Sequence, residues 1–295
     1  MLNKFDLLIP KTLDEALQQY AELGSKCKIF AGGTDVLVSM HNGDKAYPLL
    51  MDIKNLEELK GVEYTPEKGI AIGALTTHRC LERLPVIKEV YTALFEGASQ
   101  VGSVQTRNRG TIGGNICNAV PSGDTLGPLM ALNASVFVQS VRGAREIPFV
   151  ELFPGPKRTA LHEDELLIKI LIPARLPNSA SSYTKFSRRN AMDLALLGTA
   201  VDLTSNNGKT CDNARISLTT AAPTIIRARK TEEFLAGKEL TEDVMKEAGE
   251  IASAEAKPRS SWRSSEEFRR EVLKTIVPRT MAVAMERIRE GVNIP

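Results

Sequence analysis

The chain has 295 residues, 38 of them basic and 36 acidic, for a net charge of +2. That balance gives no electrostatic drive toward nucleic acid or an anionic membrane, and no apolar run approaches the roughly 20 residues that span a bilayer. Length sets an expectation of about two domains of roughly 150 residues, and 42% hydrophobic with 25% charged residues is enough for a real core.

The N-terminal "MLNKFDLLIPKT" is interrupted by Asp6 and Pro10 too soon for a signal peptide, so a cytoplasmic location is expected. Next, "TLDEALQQYAELGSK" opens with the capping-box pair Thr12 and Glu15. Leu13, Ala16, Leu17, Tyr20 and Leu23 follow at helical spacing, and Gly24 supplies the stop. "CKIF" reads as a strand running into "AGGTD", and "PLLMDI" and "GIAIGALT" as further strands with a short helical turn in "NLEELKGV" between them. One helix is expected from Pro85 through "LPVIKEVYTALFEGASQVGS", losing definition near Gly97. Residues 105–132 are rich in Gly, Asn, Thr and Ser and show no clear element before "LGPLMAL". A segment that long without an element, inside a regular chain, is usually functional.

"ASVFVQS" and "ELLIKILIP" read as strands, and "REIPFVELF" as a strand edge leading to a turn. The Pro- and Ser-rich "ARLPNSASS" is the expected domain boundary. This gives one domain over 1–176, with subdomains of about 1–54 and 55–176, and a second over 177–295. Past the boundary come strands in "SYTKFS", "LGTAVDLT" and "NARISLTTAA", with "SNNGK" as a turn. Helices follow in "KTEEFLAG", "TEDVMKEAGEIASAEA" and "SSEEFRREVLKTIVPRTMAVAMERIREG", the last expected to kink or split at Pro278. Cys27, Cys80, Cys117 and Cys211 form no C-x-x-C pair and read as buried reduced thiols. His41, His78 and His162 are too scattered for a ligand set, so no metal site is expected.

Two glycine pairs carry the chemistry. A diphosphate is best held by converging backbone N–H groups, and glycine permits that approach because it lacks Cβ and tolerates positive φ. "AGGTD", with Gly32, Gly33, Thr34 and Asp35, is of this type, and so is "TIGGN", with Thr111, Gly113, Gly114 and Asn115. A tight turn explains either pair alone. Two pairs in one domain, each beside a threonine, favour a diphosphate cradle. Neither matches the Rossmann fingerprint or the P-loop. Asp35 would repel a diphosphate and is read as a loop anchor or a cap for backbone N–H groups. Asp124 reads either as the cap of "TLGPLMAL" or as a hydrogen-bond partner for a ribose. Lys185, with Arg188 and Arg189, reads by itself as a solvated face.

"KIFAGGTDVLV" and "RNRGTIGGNICNAVPSGD" together resemble the FAD-binding subunit of the molybdenum hydroxylases. "RRNAMDLALLGTAV", "AAPTIIRARKTEEFL" and "KPRSSWRSSEEFR" resemble its C-terminal domain, most of all in the flavin subunits of bacterial xanthine dehydrogenases. The resemblance spans nearly the whole chain. It implies an α+β fold: a two-subdomain FAD-binding domain of the vanillyl-alcohol-oxidase (PCMH) type, then a small antiparallel sheet with a helical bundle. It implies FAD contacts at Ile29, Phe30, Ala31, Gly32, Gly33, Thr34, Asp35 and Val36, and at Thr111, Ile112, Gly113, Gly114 and Asn115. Further implied contacts are Val101, Asp124, Leu167 and Lys185. Substrate would be hydroxylated on a molybdenum-cofactor large subunit, and electrons would reach FAD through iron–sulfur clusters on a small subunit. NAD is the implied acceptor and a dimer of heterotrimers the implied assembly, with no catalytic acid, base or nucleophile in this chain.

Three other readings stand beside this one. The chain could serve a carbon monoxide dehydrogenase or another hydroxylase with a different acceptor. It could be a free-standing flavoprotein oxidase of the same fold, although no His or Cys suggests covalent flavin. It could be a scaffold that has lost FAD, against which the intact glycine loops argue.

Overall fold

Thr12 opens the first helix as its spacing predicts: its hydroxyl accepts the Glu15 N–H, and the Glu15 carboxylate accepts the Lys11 N–H at 2.7 Å. In this computed structural model, which describes residues 4–291, that helix is α1, Leu13–Leu23. It ends where Gly24 takes φ 51°. Around it run β1 (Asp6–Leu8), β2 (Lys28–Phe30), α2 (Val36–Asn42) and β3 (Leu49–Asp52), the strands forming a parallel sheet in the order β1–β3–β2.

The second unit is an antiparallel sheet faced by short helices. Its strands are β4 (Val62–Thr65), β5 (Gly69–Gly73), β6 (Ser135–Ser140), β7 (Gly143–Pro148) and β8 (Leu166–Ile172), in the order β4–β5–β8–β6–β7. Alternation along β8, shifted by an irregularity in its pairing with β6 at Phe137/Val138, explains how the sheet joins two cores. Leu166 and Ile168 face the cluster shared with α1 and the parallel sheet, while Leu167, Ile170 and Ile172 face the larger one.

Between β5 and β6 lie α3 (His78–Arg83), α4 (Pro85–Val90), α5 (Thr92–Ser99), α6 (Val104–Arg109), α7 (Ile112–Asn118) and α8 (Leu126–Ala131). Two expectations are corrected here. The single helix from Pro85 is broken at Tyr91, which leaves helical geometry (φ −116°, ψ 51°) and buries its ring completely. Residues 105–132 are not element-free. The hydroxyls of Ser103 and Thr111 cap α6 and α7 by accepting the Thr106 and Gly114 N–H groups. Helices of one or two turns are too short to show a period, so capping and tertiary packing specify them.

The third unit holds β9 (Ser179–Phe186), β10 (Leu197–Thr204), β11 (Asn213–Thr219) and β12 (Ile226–Arg227), antiparallel in the order β12–β11–β10–β9. The strand β9 begins inside the stretch read as a boundary. All eight residues of β10 are buried, between α8 on one side and the C-terminal helices on the other. Those helices are α9 (Arg229–Leu235), α10 (Glu242–Glu255) and α11 (Glu266–Arg289). Pro278 does not split α11. A Cβ at Gly249 of α10 would lie 2.8 Å from the Lys274 carbonyl oxygen and 3.0 Å from Pro278, so glycine lets the helices close where proline removes a hydrogen bond.

Polar side chains lock this unit onto the second. The Glu96 carboxylate on α5 accepts the Tyr183 N–H at 2.6 Å and pairs with Arg287 of α11 at 2.5 Å. Ser217 donates to the Gly127 carbonyl at 2.6 Å across the same joint.

Candidate functional site around the two glycine loops

The first loop leaves β2 at Phe30 and enters α2 at Val36. Among the described residues, the backbone N–H groups of Gly32, Gly33, Thr34 and Asp35 meet no acceptor in the chain. Gly33 takes φ +75°, a left-handed conformation of the kind from which successive N–H groups can form an anion-binding concavity. A Cβ at Gly33 would also lie 2.6 Å from the Phe30 ring. Asp35 does not cap α2; its carboxylate accepts the Asn118 side-chain N–H of α7 at 2.8 Å and so anchors one loop to the other.

The second loop is built differently. The Ile112 N–H donates to Thr76 O at 3.0 Å, Gly113 to Ala74 O at 2.9 Å, Gly114 to Thr111 Oγ1 at 3.0 Å and Asn115 to Thr111 O at 3.0 Å. Its donors are therefore already engaged, and it is tied to the chain leaving β5. The first loop touches the approach to the second through backbone, a Cβ at Gly32 sitting 2.0 Å from Arg109 O, and the second presses on the chain leaving β5, a Cβ at Gly113 sitting 2.7 Å from Ala74 O. Only Gly114 faces out, a Cβ there meeting just Thr111 Oγ1, at 2.9 Å. Uniformly open, ligand-facing glycines are thus not what the structure contains; three of the four are needed by the fold itself.

From the second loop a chain of hydrogen bonds leads to the third unit. The Asn115 side-chain oxygen Oδ1 accepts the Thr125 hydroxyl at 2.8 Å, which leaves the Asn115 side-chain N–H groups without an acceptor among the described residues. Beside Thr125, Asp124 accepts the Tyr183 hydroxyl at 3.1 Å and the Lys185 ammonium at 2.8 Å. Lys185 also donates to Gln100 O at 3.1 Å. Both charged side chains are buried. Burial pushes the Asp124 carboxyl up to about 6, Lys185 opposing that rise. The Tyr183 hydroxyl is driven well above its ordinary range by the same burial and by the carboxylate beside it. Asp124 is not the cap of α8, and Lys185 is not a solvated charge.

Val101 lies next to Gln100 and offers its carbonyl to Arg107 at 3.1 Å. Leu167 is buried in the core cluster that contains Ile112 and Ile116 of α7, so it underlies the second loop. Ile29 and Phe30 are β2 residues, and the Phe30 ring carries the Lys54 ammonium 4.0 Å from its centroid. Ala31 packs at the edge of the first core. Sequence reasoning passed over His78, whose backbone N–H donates to Gly110 O at 3.0 Å. Its imidazole is buried, with Nδ1 lacking a partner, and burial holds it near 4. It passed over Asn118 as well; the repeat of Asn115 and Asn118 in "NICN" was the available signal. Of the cysteines, Cys27 and Cys211 are buried but Cys80 and Cys117 are exposed, which corrects the expectation of four buried thiols.

The donor set fits a dianionic diphosphate. Among the described residues, the set comprises four unpaired backbone N–H groups, an outward Gly114 and the free Asn115 amide, while the Asp35 carboxylate is engaged by Asn118. Comparison with known proteins agrees with this chemistry. Residues 3–175 match the family model described as the FAD-binding domain in molybdopterin dehydrogenase, and residues 181–284 match the CO dehydrogenase flavoprotein C-terminal domain. The chain is 32% identical over 275 residues to a putative xanthine dehydrogenase FAD-binding subunit of Escherichia coli (strain K12), covering 93% of this chain and 94% of that one. It is 30% identical over 298 residues to the nicotinate dehydrogenase FAD-subunit of Eubacterium barkeri, covering 99% and 100%. Its structure superposes on carbon monoxide dehydrogenase from Hydrogenophaga pseudoflava with a TM-score of 0.93 at 31% identity, covering 97% of this chain and 99% of that one. With both of its domains matched in order and over nearly their full length, the chain belongs to the FAD-binding medium subunits of the molybdenum hydroxylases.

Proposed function

We propose that this chain is the flavin subunit of a xanthine dehydrogenase-like complex, passing electrons from the iron–sulfur clusters of a small subunit to NAD⁺. The observation that carries the FAD reading is the run of unpaired N–H groups from Gly32 to Asp35, set where the two glycine loops meet. FAD, when bound, supplies the exchange between one-electron and two-electron transfer. The residues of the chain bind and orient it. The first loop and Gly114, with Thr111 and Asn115, would hold the diphosphate. Asp124, Lys185 and Val101 would border the polar edge of the cofactor, and Leu167 and Ile112 would support the loop from the core. In this reading the domain boundary falls near residue 176, the location is cytoplasmic, and the assembly is a dimer of heterotrimers with a molybdenum-cofactor large subunit.

The xanthine assignment rests on similarity to a relative of that name, and relatives named for carbon monoxide and nicotinate dehydrogenases stand at similar identity. The deciding experiment is therefore reconstitution. The purified chain should be yellow, release FAD on acid precipitation and pass electrons from NADH to a dye while leaving xanthine untouched. Adding the molybdenum and iron–sulfur subunits should give xanthine-to-NAD⁺ activity. Colourless protein that takes up no FAD would defeat the cofactor reading. A reconstituted complex that oxidises carbon monoxide or nicotinate instead would keep the family role and discard xanthine.

A further inference from the structure

The first glycine loop carries an anion of its own. Asp35 closes the run of unpaired N–H groups, and its carboxylate accepts the Asn118 side-chain N–H at 2.8 Å. Aspartate just before a helix ordinarily accepts backbone N–H groups of the first turn. Asp35 precedes α2 and accepts none of them. Its carboxylate is turned sideways onto α7 instead. Among the described residues no lysine or arginine pairs with it, so a neutral amide holds a charge that no cation cancels.

The helix that bears Asn118 sets it up for this contact. Asn118 lies four residues beyond Gly114, hence on the same outward face of α7 and one turn from the bare Cα. The helix stops there because Ala119 takes φ 50°, a left-handed conformation that alanine rarely adopts. The Ala119 carbonyl accepts the Lys157 N–H at 3.2 Å, which fixes that turn. A carboxylate only accepts, so the amide must present its N–H to Asp35. On the loop side the backbone is held without the carboxylate. The Leu37 N–H donates to Gly33 O at 3.0 Å and the Ser39 N–H to Asp35 O at 2.9 Å. Removing the amide therefore frees the Asp35 side chain and leaves the loop in place.

We propose that Asn118 is a positioning residue for FAD: it keeps the Asp35 carboxylate off the N–H groups from Gly32 to Asp35, which the cofactor's diphosphate must reach. The inference rests on the FAD reading above. An Asp35 released by Asn118 is an internal competitor. It folds back onto donors of its own loop, and its charge repels a dianion arriving there. A guard of this kind behaves unlike a plain tie between two loops. With a tie, removing either partner or both weakens binding alike. With a guard, removing Asn118 harms binding and removing Asp35 as well repairs it.

The experiment titrates FAD into full-length, flavin-stripped protein and follows flavin fluorescence, with a thermal melt of each stripped variant beside it. Asn118→Ala should weaken FAD binding about tenfold, because a like charge brought near the phosphates acts at short range. Asp35→Ala should bind FAD at least as tightly as the parent. Asn118→Ala combined with Asp35→Ala should return to the parent affinity. If Asn118→Ala does not fold, Asn118→Leu, of similar volume and without a donor, takes its place with the same rescue. Equal weakening in both single variants and the double overturns the proposal, since that is the pattern of a tie. An Asn118→Ala variant that binds FAD like the parent overturns it too. So does an Asp35→Ala variant that binds FAD more weakly than the parent, because the carboxylate then serves the cofactor directly. A parent chain that takes up neither FAD nor inorganic pyrophosphate sinks the function proposed above and the guard with it. A parent that binds FAD, with no rescue in the double variant, sinks only the guard.

Discussion

Among the described residues, the four backbone N–H groups at Gly32–Asp35 meet no acceptor, whereas at Ile112–Asn115 each N–H is already bonded within the chain. The first loop hangs between β2 and α2; the second is stitched to Thr76 and Ala74 at the exit of β5. One loop therefore has hydrogen-bonding capacity to offer a negative ligand, and the other offers a rigid wall against which that ligand can be held. The difference teaches that a double glycine is not one device. Gly32 and Gly113 permit backbone contact, Gly33 permits a positive φ, and Gly114 keeps a surface bare.

The largest effect expected from this comparison is at Gly32. Its Cβ would lie 2.0 Å from a backbone oxygen, which no side-chain rotation relieves. Gly32→Ala should therefore cost about 4 kcal/mol or more and yield little folded protein, as measured by denaturant melts of whatever is recovered. A well-folded Gly32→Ala variant would mean that the loops do not rest on each other.

Next comes the pair that continues the second loop through Asn115 and Thr125 into the third unit. Lys185→Met leaves Asp124 buried without its cation, a loss of about 3 kcal/mol where the carboxyl is ionised. The sign follows from the raised carboxyl. Between its ordinary 3.8 and about 6 the folded chain holds a proton that the unfolded chain has released. This group therefore lowers stability as pH rises through that window, the full loss being present above it. Without Lys185 the carboxyl rises further. The stability deficit of Lys185→Met should be small near about pH 5, where Asp124 is protonated, and reach about 3 kcal/mol near about pH 8. A deficit independent of pH would show that Lys185 works by packing alone.

Gly33→Ala should cost about 1–2 kcal/mol for the left-handed backbone, plus the displacement of the Phe30 ring, and should weaken FAD binding because the N–H groups no longer converge. Equilibrium dialysis of FAD against the variant checks this. Unchanged affinity would move the anion site away from the first loop.

How much of this was legible beforehand follows the range of the forces involved. Helix α1 could be read because Thr12, Glu15 and Gly24 act within a few residues of one another, whereas β1 and α2, too short to show a period, were not. Strands β6, β8 and β10 could be read because apolar runs bounded by turns show without any partner. The break at Tyr91 could not, since the ring leaves the helix to fill a core assembled from distant strands. Helices α6 and α7 were hidden by their Gly and Asn content and are too short to show a period. At the site, Gly32, Gly33, Gly113 and Gly114 were visible as residue types, but their separate duties depend on Arg109, Phe30 and Ala74, neighbours only in space. Resemblance to the family supplied Asp124 and Lys185; nothing in their local sequence shows that they meet across 61 residues. His78 was missed because a lone histidine carries no pattern.

Gly114→Ala should have the smallest effect on stability and is the sharpest test of the comparison. Alanine favours a helix by up to about 1 kcal/mol over glycine, and the added methyl meets only the Thr111 hydroxyl, at 2.9 Å. Gain and cost nearly cancel, so the melt should move by less than about 1 kcal/mol. Any larger change in FAD affinity is then a local effect of the methyl on the cofactor. If the diphosphate rests against the first turn of α7, that methyl stands in its way, and affinity should fall about tenfold, or about 1.4 kcal/mol. Unchanged affinity would mean that the second loop shapes the site without touching the phosphates, and that the backbone N–H groups from Gly32 to Asp35 bind the anion alone.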